Sequence, residues 1–137
     1  MLTRSLRAVI LFVAVLLSMP LRAQEQPVEP TVEQLKKAKD DFAKIGATYR
    51  LVTDTLTKRS MHWFEFAPTT KNADLKKLPN PPFPFNMSLG FTNVTDMGLI
   101  ELKDLKNLTV LYVYRTKVTD GGMKELKVAL PKCKIER

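Results

Sequence analysis

The sequence is short of the residues that most metal and redox sites require. Its 137 residues include one cysteine, Cys133, and one histidine, His62. A single cysteine cannot form an internal disulfide, so the fold must be held together by core packing. One cysteine and one histidine are also too few for a metal site of the Cys/His type. We therefore expect no metal and no cofactor, and we expect Cys133 to be buried and slow to react.

Side chains arranged for catalysis are also missing from the sequence. Ser60 and Ser88 lack the base that activates a serine nucleophile, and His62 has no second histidine to work with. Asp96 and Asp120 occupy equivalent positions of a repeated phrase. Two such carboxylates could bind a cation or share a proton, but helix capping is the simpler role for both. The sequence predicts a protein without enzymatic activity.

The charge of the chain is positive but not concentrated in any one stretch. Lysine and arginine number 22 against 14 aspartates and glutamates, which gives a net charge of +8. The positive residues are mostly lysines that occur in ones and twos, whereas a nucleic-acid-binding module groups them with aromatic residues on one surface. We expect no nucleic-acid partner. The excess charge favours solubility, with weak attraction to anionic cell-surface polymers as the functional alternative.

Residues 1–23 have the pattern of an export signal. Arg4 and Arg7 precede an apolar run over residues 8–19, and the small residue Ala23 precedes a predicted cleavage site. The run has about 12 residues, against roughly 20 that are needed to span a bilayer. We expect cleavage, no stable membrane insertion afterwards, and a periplasmic or extracellular location. Retention of the segment as an uncleaved anchor is the alternative.

The next part of the chain predicts a cap for whatever fold follows it. Residues 24–31 are polar and contain two prolines, as in a flexible spacer. Thr31 lies three residues before Gln34, which is the spacing of a capping box. Apolar residues at helical spacing then predict an amphipathic helix over 32–45, closed by Gly46. With a short strand over 47–52, residues 32–60 form the predicted N-terminal cap.

The C-terminal part of the chain contains the same phrase twice. Thr92-Asn-Val-Thr-Asp-Met-Gly-Leu99 recurs as Thr116-Lys-Val-Thr-Asp-Gly-Gly-Met123, and the offset between the two copies is constant. A fixed period in the twenties is the signature of a solenoid. Thr116 should form hydrogen bonds to the backbone of its loop, Val118 should re-enter the core, and Asp120 should cap the helix that follows.

The repeated phrase resembles the leucine-rich repeats of the ribonuclease-inhibitor-like, cysteine-containing class, and is most similar to secreted bacterial leucine-rich-repeat proteins. The closing sequence Leu130-Pro-Lys-Cys133-Lys-Ile135 is similar to the usual end of such proteins. The resemblance covers residues 85–137 and extends more weakly over 61–84. It implies strands that start at nearly equal intervals, at Phe64, Met87, Leu111 and Ile135.

The fold implied by this resemblance is α/β. It is a short right-handed solenoid over residues 61–137, made of three units and a terminal strand. Parallel strands lie on its concave face and helices on its convex face, with the helix over 32–45 as the N-terminal capping helix. Within the unit that begins at Leu108, the alternation of a strand points Leu111 and Val113 into the core and Tyr112 and Tyr114 outward.

Ligands of leucine-rich-repeat proteins usually dock on the concave face, which gives a candidate site. Tyrosine and arginine are also favoured at interfaces. Exposed tyrosines are common in strands, so a face without a partner is the alternative. The candidate residues, with Arg115 at the edge of the face, are Glu65, Ser88, Tyr112, Tyr114, Arg115 and Glu136.

Two functional hypotheses remain open from the sequence. The first is a monomeric, exported module that binds another protein. The second is a structural, envelope-associated protein that binds anionic polymers through its distributed lysines. Binding that weakens steeply as salt is added would favour the polymer.

Overall fold

The computed structural model describes residues 29–137. The predicted signal peptide and most of the predicted spacer lie outside these residues. The helices and strands follow one another as α1 (Val32–Ala43), β1 (Ala47–Thr53), β2 (Ser60–Phe66), β3 (Phe85–Ser88), α2 (Asp96–Leu99), β4 (Leu108–Tyr112), α3 (Asp120–Ala129) and β5 (Lys134–Glu136). Two short 3-10 helices cover Asn72–Lys77 and Ile100–Leu102.

The five strands form one mixed sheet in the order β1-β2-β3-β4-β5. Strands β2 to β5 are parallel, whereas β1 pairs with β2 in the antiparallel sense. The parallel strands predicted for residues 61–137 are therefore present, and the strand of the predicted cap, for which no orientation was predicted, makes the sheet a mixed one. The physical reason is the connection, since residues 54–59 between β1 and β2 are too few for the crossover that a parallel pair needs. The coarse α/β class stands, with a mixed sheet.

The register of the parallel strands follows the repeat period. Phe64, Met87, Leu111 and Ile135 are side by side in β2, β3, β4 and β5, as their spacing in the sequence predicted. The prediction that the strands start at these residues is wrong, because each strand begins one to four residues earlier. Phe64, Met87 and Leu111 are fully buried. Because side chains alternate along a strand, Tyr112 lies on the opposite, open face of the sheet. The predicted strand phase is confirmed.

Helix α1 packs on the N-terminal side of this core. Its Phe42 ring stacks on Phe64 with the ring centroids 3.8 Å apart. The predicted capping box is present, because the Thr31 hydroxyl accepts from the Gln34 amide and the Gln34 side chain accepts from the Thr31 amide. The helix ends at Ala43, two residues earlier than predicted. Within residues 29–137, no helix has the length and apolar character to cross a bilayer.

Candidate binding site on the open face of the sheet

The ends of β3 and β4 are fixed by two matching turns. The Thr92 hydroxyl donates to the Leu89 carbonyl at 2.7 Å, and the Thr116 hydroxyl donates to the Val113 carbonyl at 2.6 Å. The Thr116 hydroxyl also accepts from the Val118 amide at 3.3 Å. These are the backbone hydrogen bonds that the sequence predicted for Thr116. They hold the loops that follow the strands and therefore fix the edge of the open face.

The six residues predicted to form a binding face lie on one side of the sheet or at its edge. Glu65, Ser88, Tyr112 and Glu136 are register partners across β2 to β5. Tyr114 is 39% exposed, and Arg115 follows it in an exposed loop. Ser88, however, is only 9% exposed, so it is covered by its neighbours and is not a free contact residue.

An aromatic row covers Ser88. The rings of Trp63 and Tyr112 stack with their centroids 5.0 Å apart and their planes 24° apart. Their strands are separated by β3 and so lie roughly 10 Å apart. The two rings must therefore lean toward each other over β3, where the small Ser88 leaves room. This stacking explains why Trp63 is only 8% exposed although it lies opposite the core.

Tyr114 extends the row to the edge of the sheet. Its ring centroid is 6.2 Å from that of Tyr112, and the Phe91 ring meets it edge-on at 5.2 Å. The face of the Tyr114 ring lies over Gly90. A β-carbon built at Gly90 would be 2.7 Å from both Cε atoms of the ring, closer than real contacts allow. Gly90 therefore creates the space that the Tyr114 ring occupies.

A groove of about 360 Å³ opens on this face over β1 to β4. Its apolar and aromatic lining consists of Val52, Met61, Trp63, Tyr112 and Tyr114. We call these five residues and the space between them the aromatic groove. The polar groups of the groove are the side chains of Arg50, Glu65 and Ser88.

A second cavity, of about 430 Å³, lies at the other end of the sheet between α3 and β5. Its lining residues are Asp120, Met123, Lys124, Lys127, Lys134 and Ile135. This cavity is larger, but it has no aromatic lining and is dominated by flexible lysines. The aromatic groove has the rigid side chains that are enriched at binding sites, and we regard it as the candidate site.

The two carboxylates of the open face are neutralised by cations on the same face. Arg50 forms an ion pair with Glu65 at 2.7 Å, and Lys134 forms one with Glu136. Exposed pairs of this kind add little stability. Their consequence here is electrostatic, because neither carboxylate contributes a free negative charge to the face.

The edge of the sheet beside Tyr114 is cationic. It is formed by the loops at residues 89–93 and 113–117, which contain no aspartate or glutamate. Their charged residues, both exposed, are Arg115 and Lys117. We call these two residues the cationic edge. It adjoins the aromatic groove through Tyr114.

Four residues of the site were not predicted from the sequence: Trp63, Met61, Arg50 and Val52. Trp63 and Met61 are two and four residues before Glu65 in the same strand, so the period of two could have identified both. Arg50 comes from β1, which was assigned to the cap. Only the antiparallel pairing of β1 with β2, which places Arg50 opposite Trp63, brings it to this face.

His62 points away from the groove, into the core side of the sheet. Its Nδ1 atom is 2.9 Å from the Tyr49 hydroxyl, and its Nε2 atom is 3.8 Å from the Glu29 carboxylate. Burial is the main cause that lowers the pKa of His62, against an opposing effect of Glu29. Among residues 29–137, no group of three or more His, Cys, Asp and Glu side chains could hold a metal ion.

Cys133 is buried, as the sequence predicted. It is 1% exposed, and its Sγ atom is 3.7 Å from the Lys134 carbonyl. Burial raises the pKa of the Cys133 thiol to about 11. Since the thiolate is the reactive form, slow reaction with thiol reagents remains the expectation.

The prediction that Asp120 caps its helix is wrong by one residue. The N-cap of α3 is Thr119, whose hydroxyl accepts from the Gly122 amide at 3.2 Å. Thr119 has the extended backbone of a cap, with φ −98° and ψ 166°. Asp120 is already helical, and its carboxylate pairs with Arg137 at 2.7 Å.

Asp96 has a different role from the capping that was predicted for it, because it links two units. Its carboxylate accepts from the Thr119 amide at 2.8 Å and from the Thr119 hydroxyl at 2.6 Å. These hydrogen bonds, the side-chain bond first, lower the pKa of Asp96. Asn72 makes the same type of link to Thr95, at 2.9 Å to the amide and 2.8 Å to the hydroxyl.

Comparison with known proteins identifies no relative of this chain. No family model, no curated protein and no solved structure matches it. Functional inference therefore depends on the geometry of the site itself.

Proposed function

We propose that this chain is a leucine-rich-repeat binding module that recognises another protein through the aromatic groove. The repeat assignment is supported by the matching turns at Thr92 and Thr116 and by a strand register that follows the period of the sequence. In this proposal β2 to β5 form the concave face of a short solenoid, and α1 with β1 caps its first unit.

The observation that carries the proposed function is the rigid aromatic row on a face that has no core to pack against. Trp63 is buried by stacking on Tyr112, and Tyr114 is held against Gly90. Side chains that are already ordered lose little conformational entropy on binding. Aromatic residues fixed in this way are typical anchors of protein interfaces.

The remaining parts of the proposal are export, a monomeric state and the lack of enzymatic activity. Export is supported by the basic start, the short apolar run and Ala23 within residues 1–23. A binding role without catalysis is supported by the position of the lone histidine, His62, which lies on the core side of the sheet and away from the groove.

Capture experiments with two kinds of variant test the groove as the binding surface. Tagged protein is used to capture partners from the extracytoplasmic fraction of the source cells. A partner that binds through the groove should be lost with Tyr114→Ala and with Tyr112→Ala. It should be retained with Val128→Ala, which alters an 84% exposed side chain on α3. If both tyrosine variants are folded in thermal melts and still capture the partner at the wild-type level, the proposed function is refuted.

A second candidate function is the binding of anionic polymers by exposed lysines. It is supported by the cationic edge and by the net charge, which falls from +8 to +5 when the predicted signal peptide with its three arginines is removed. Binding to polyglutamate should then weaken steeply with salt and be insensitive to Tyr114→Ala, because the attraction is electrostatic and does not need the groove.

A further inference from the structure

We propose that the ligand of the aromatic groove is an extended, acidic segment of the partner protein. An apolar side chain of the segment would occupy the groove, and its carboxylates would lie at the cationic edge. This inference rests on the protein-binding function proposed above and adds the chemistry of the partner.

The need for an apolar side chain follows from the walls of the groove. Val52, Met61 and Trp63 line a space of about 360 Å³, which is a volume typical of a small ligand site. The polar groups nearby, Arg50 and Glu65, already satisfy each other in an ion pair. A segment with only polar side chains would leave the apolar lining unused.

The need for carboxylates follows from the charge balance around the groove. Glu65 and Glu136 are each paired with a cation on the open face. The exposed charges beside Tyr114 are those of Arg115 and Lys117 at the cationic edge, whose loops contain no acidic residue. An acidic segment is therefore attracted and a basic segment repelled, and charge complementarity of this kind selects partners.

The position of the cationic edge is fixed relative to the groove. Arg115 has a left-handed backbone with φ 54°, and the equivalent residue of the preceding unit, Phe91, has φ 60°. Tyr114, between the groove and Arg115, is held over Gly90. The edge and the groove are thus joined by an ordered turn, and one ligand can contact both.

The geometry also sets the shape of the segment. Trp63 is level with Val110 in the register of the sheet, through Asn86. From that level β4 continues for two residues to Tyr112, and Arg115 lies three residues further on in a turn. The span from the groove to the edge is therefore at most roughly 16 Å, which an extended segment of a few residues can cover.

A peptide selection tests this inference while the partner is unidentified. A displayed library of random 12-residue peptides that lacks tryptophan is selected on the wild-type protein. Binding is then measured by the fluorescence of Trp63, the only tryptophan of the chain. We expect enriched peptides to combine an aromatic or aliphatic residue with two or more acidic residues. Replacing those acidic residues by their amides should weaken binding about tenfold.

Two charge variants form the matched comparison. Arg115→Gln removes a charge of the cationic edge. Because glutamine is also a non-glycine residue, the strain of the left-handed backbone at this position is kept. The variant should weaken the binding of the enriched peptides about fivefold or more. Lys124→Gln removes an exposed charge on α3 and should leave binding unchanged. Equal binding by the two variants, or enrichment of neutral or basic peptides, would overturn the acidic ligand.

The same experiment separates this inference from the function on which it rests. One outcome is that Tyr114→Ala weakens the binding of the enriched peptides while replacement of their acidic residues by amides leaves binding unchanged. In that case the groove remains a binding site and only the acidic ligand is wrong. If Tyr114→Ala has no effect on them, or if no peptide is enriched, the groove is not the binding site and both proposals fail.

Discussion

The two best-matched units of the chain, which begin at β3 and β4, agree in their turns and differ on their open face. In the turns, the same hydroxyl bond is made by Thr92 and Thr116. The residue with a left-handed backbone is Phe91 in one unit and Arg115 in the other, so the backbone is repeated even where the side chain is not. The repeat therefore keeps the hydrogen bonds and backbone angles that connect strand to helix.

On the open face, equivalent positions carry different side chains with complementary shapes. Position 90 is glycine in the first unit, and the equivalent position 114 is tyrosine in the second. The ring of Tyr114 lies over Gly90, so the absence of a side chain in one unit accommodates the large side chain of the next. Ser88 and Tyr112 are related in the same way, because the small residue allows the larger one to lean over it toward Trp63. The groove is thus formed at positions whose side chains are not needed for the hydrogen bonds of the turns.

The largest effect on stability should come from the core position that both units share. Val94 and Val118 are at most 1% exposed. Either Val→Ala change removes two methyl groups from a filled core and should cost on the order of 2 kcal/mol in the free energy of unfolding. Urea unfolding measures both. If the two costs differ by more than the experimental error, the units are not packed equivalently and the comparison between them fails.

A smaller effect is expected from the turn hydroxyls. Thr92→Val and Thr116→Val keep the shape of the side chain but remove the hydrogen bond to the carbonyl three residues earlier. Each change should lower the free energy of unfolding by roughly 1–3 kcal/mol. Thr92 is buried, whereas Thr116 is half-buried. We therefore expect the Thr92 variant to lose more stability than the Thr116 variant, with both losses below those of the two Val→Ala changes. Thermal unfolding of the two proteins side by side gives the ranking, and the reverse order would contradict this account of burial.

The periodic features of the fold could be predicted from the sequence. The constant offset between the two copies of the repeat was enough to place Met87 and Leu111 in register, and the weaker resemblance over residues 61–84 was enough to place Phe64 beside Met87. The alternation of a strand then assigned Tyr112 to the open face. The binding candidates within the repeat were found for the same reason.

What could not be predicted involves contacts that the period does not describe. Strand β1 lies outside the repeat. The spacing of the repeat therefore did not predict that β1 joins the sheet or that Arg50 lies beside Trp63. The role of Asp96 was also missed, since a carboxylate near a helix start usually acts within its own helix. Its partner, Thr119, lies in the next unit, and only the stacking of the two units brings them together.

Asp96 should determine part of the response of the protein to acid. Hydrogen bonds from Thr119 hold the pKa of Asp96 below its usual value. The stability that Asp96 contributes is therefore complete above the unfolded pKa of about 3.9 and is lost as the pH falls through the lower folded pKa. Asp96→Asn should flatten the decline of the urea midpoint in this acid range. A decline that is the same in Asp96→Asn and in the wild type would show that the link between units has no energetic weight.

The smallest change in stability is expected at Gly90, where the effect should instead be local. An added β-carbon in Gly90→Ala meets only the far end of the Tyr114 side chain, which can rotate away. The free energy of unfolding should then change by less than about 1 kcal/mol, while nuclear Overhauser contacts between residue 90 and the Tyr114 ring are lost. The control is Gly121→Ala, where the nearest atom to an added β-carbon is 3.4 Å away. If the Tyr114 ring keeps its place in Gly90→Ala, the complementarity between the two units is wrong. If the ring moves but groove ligands bind as before, Tyr114 does not belong to the binding surface.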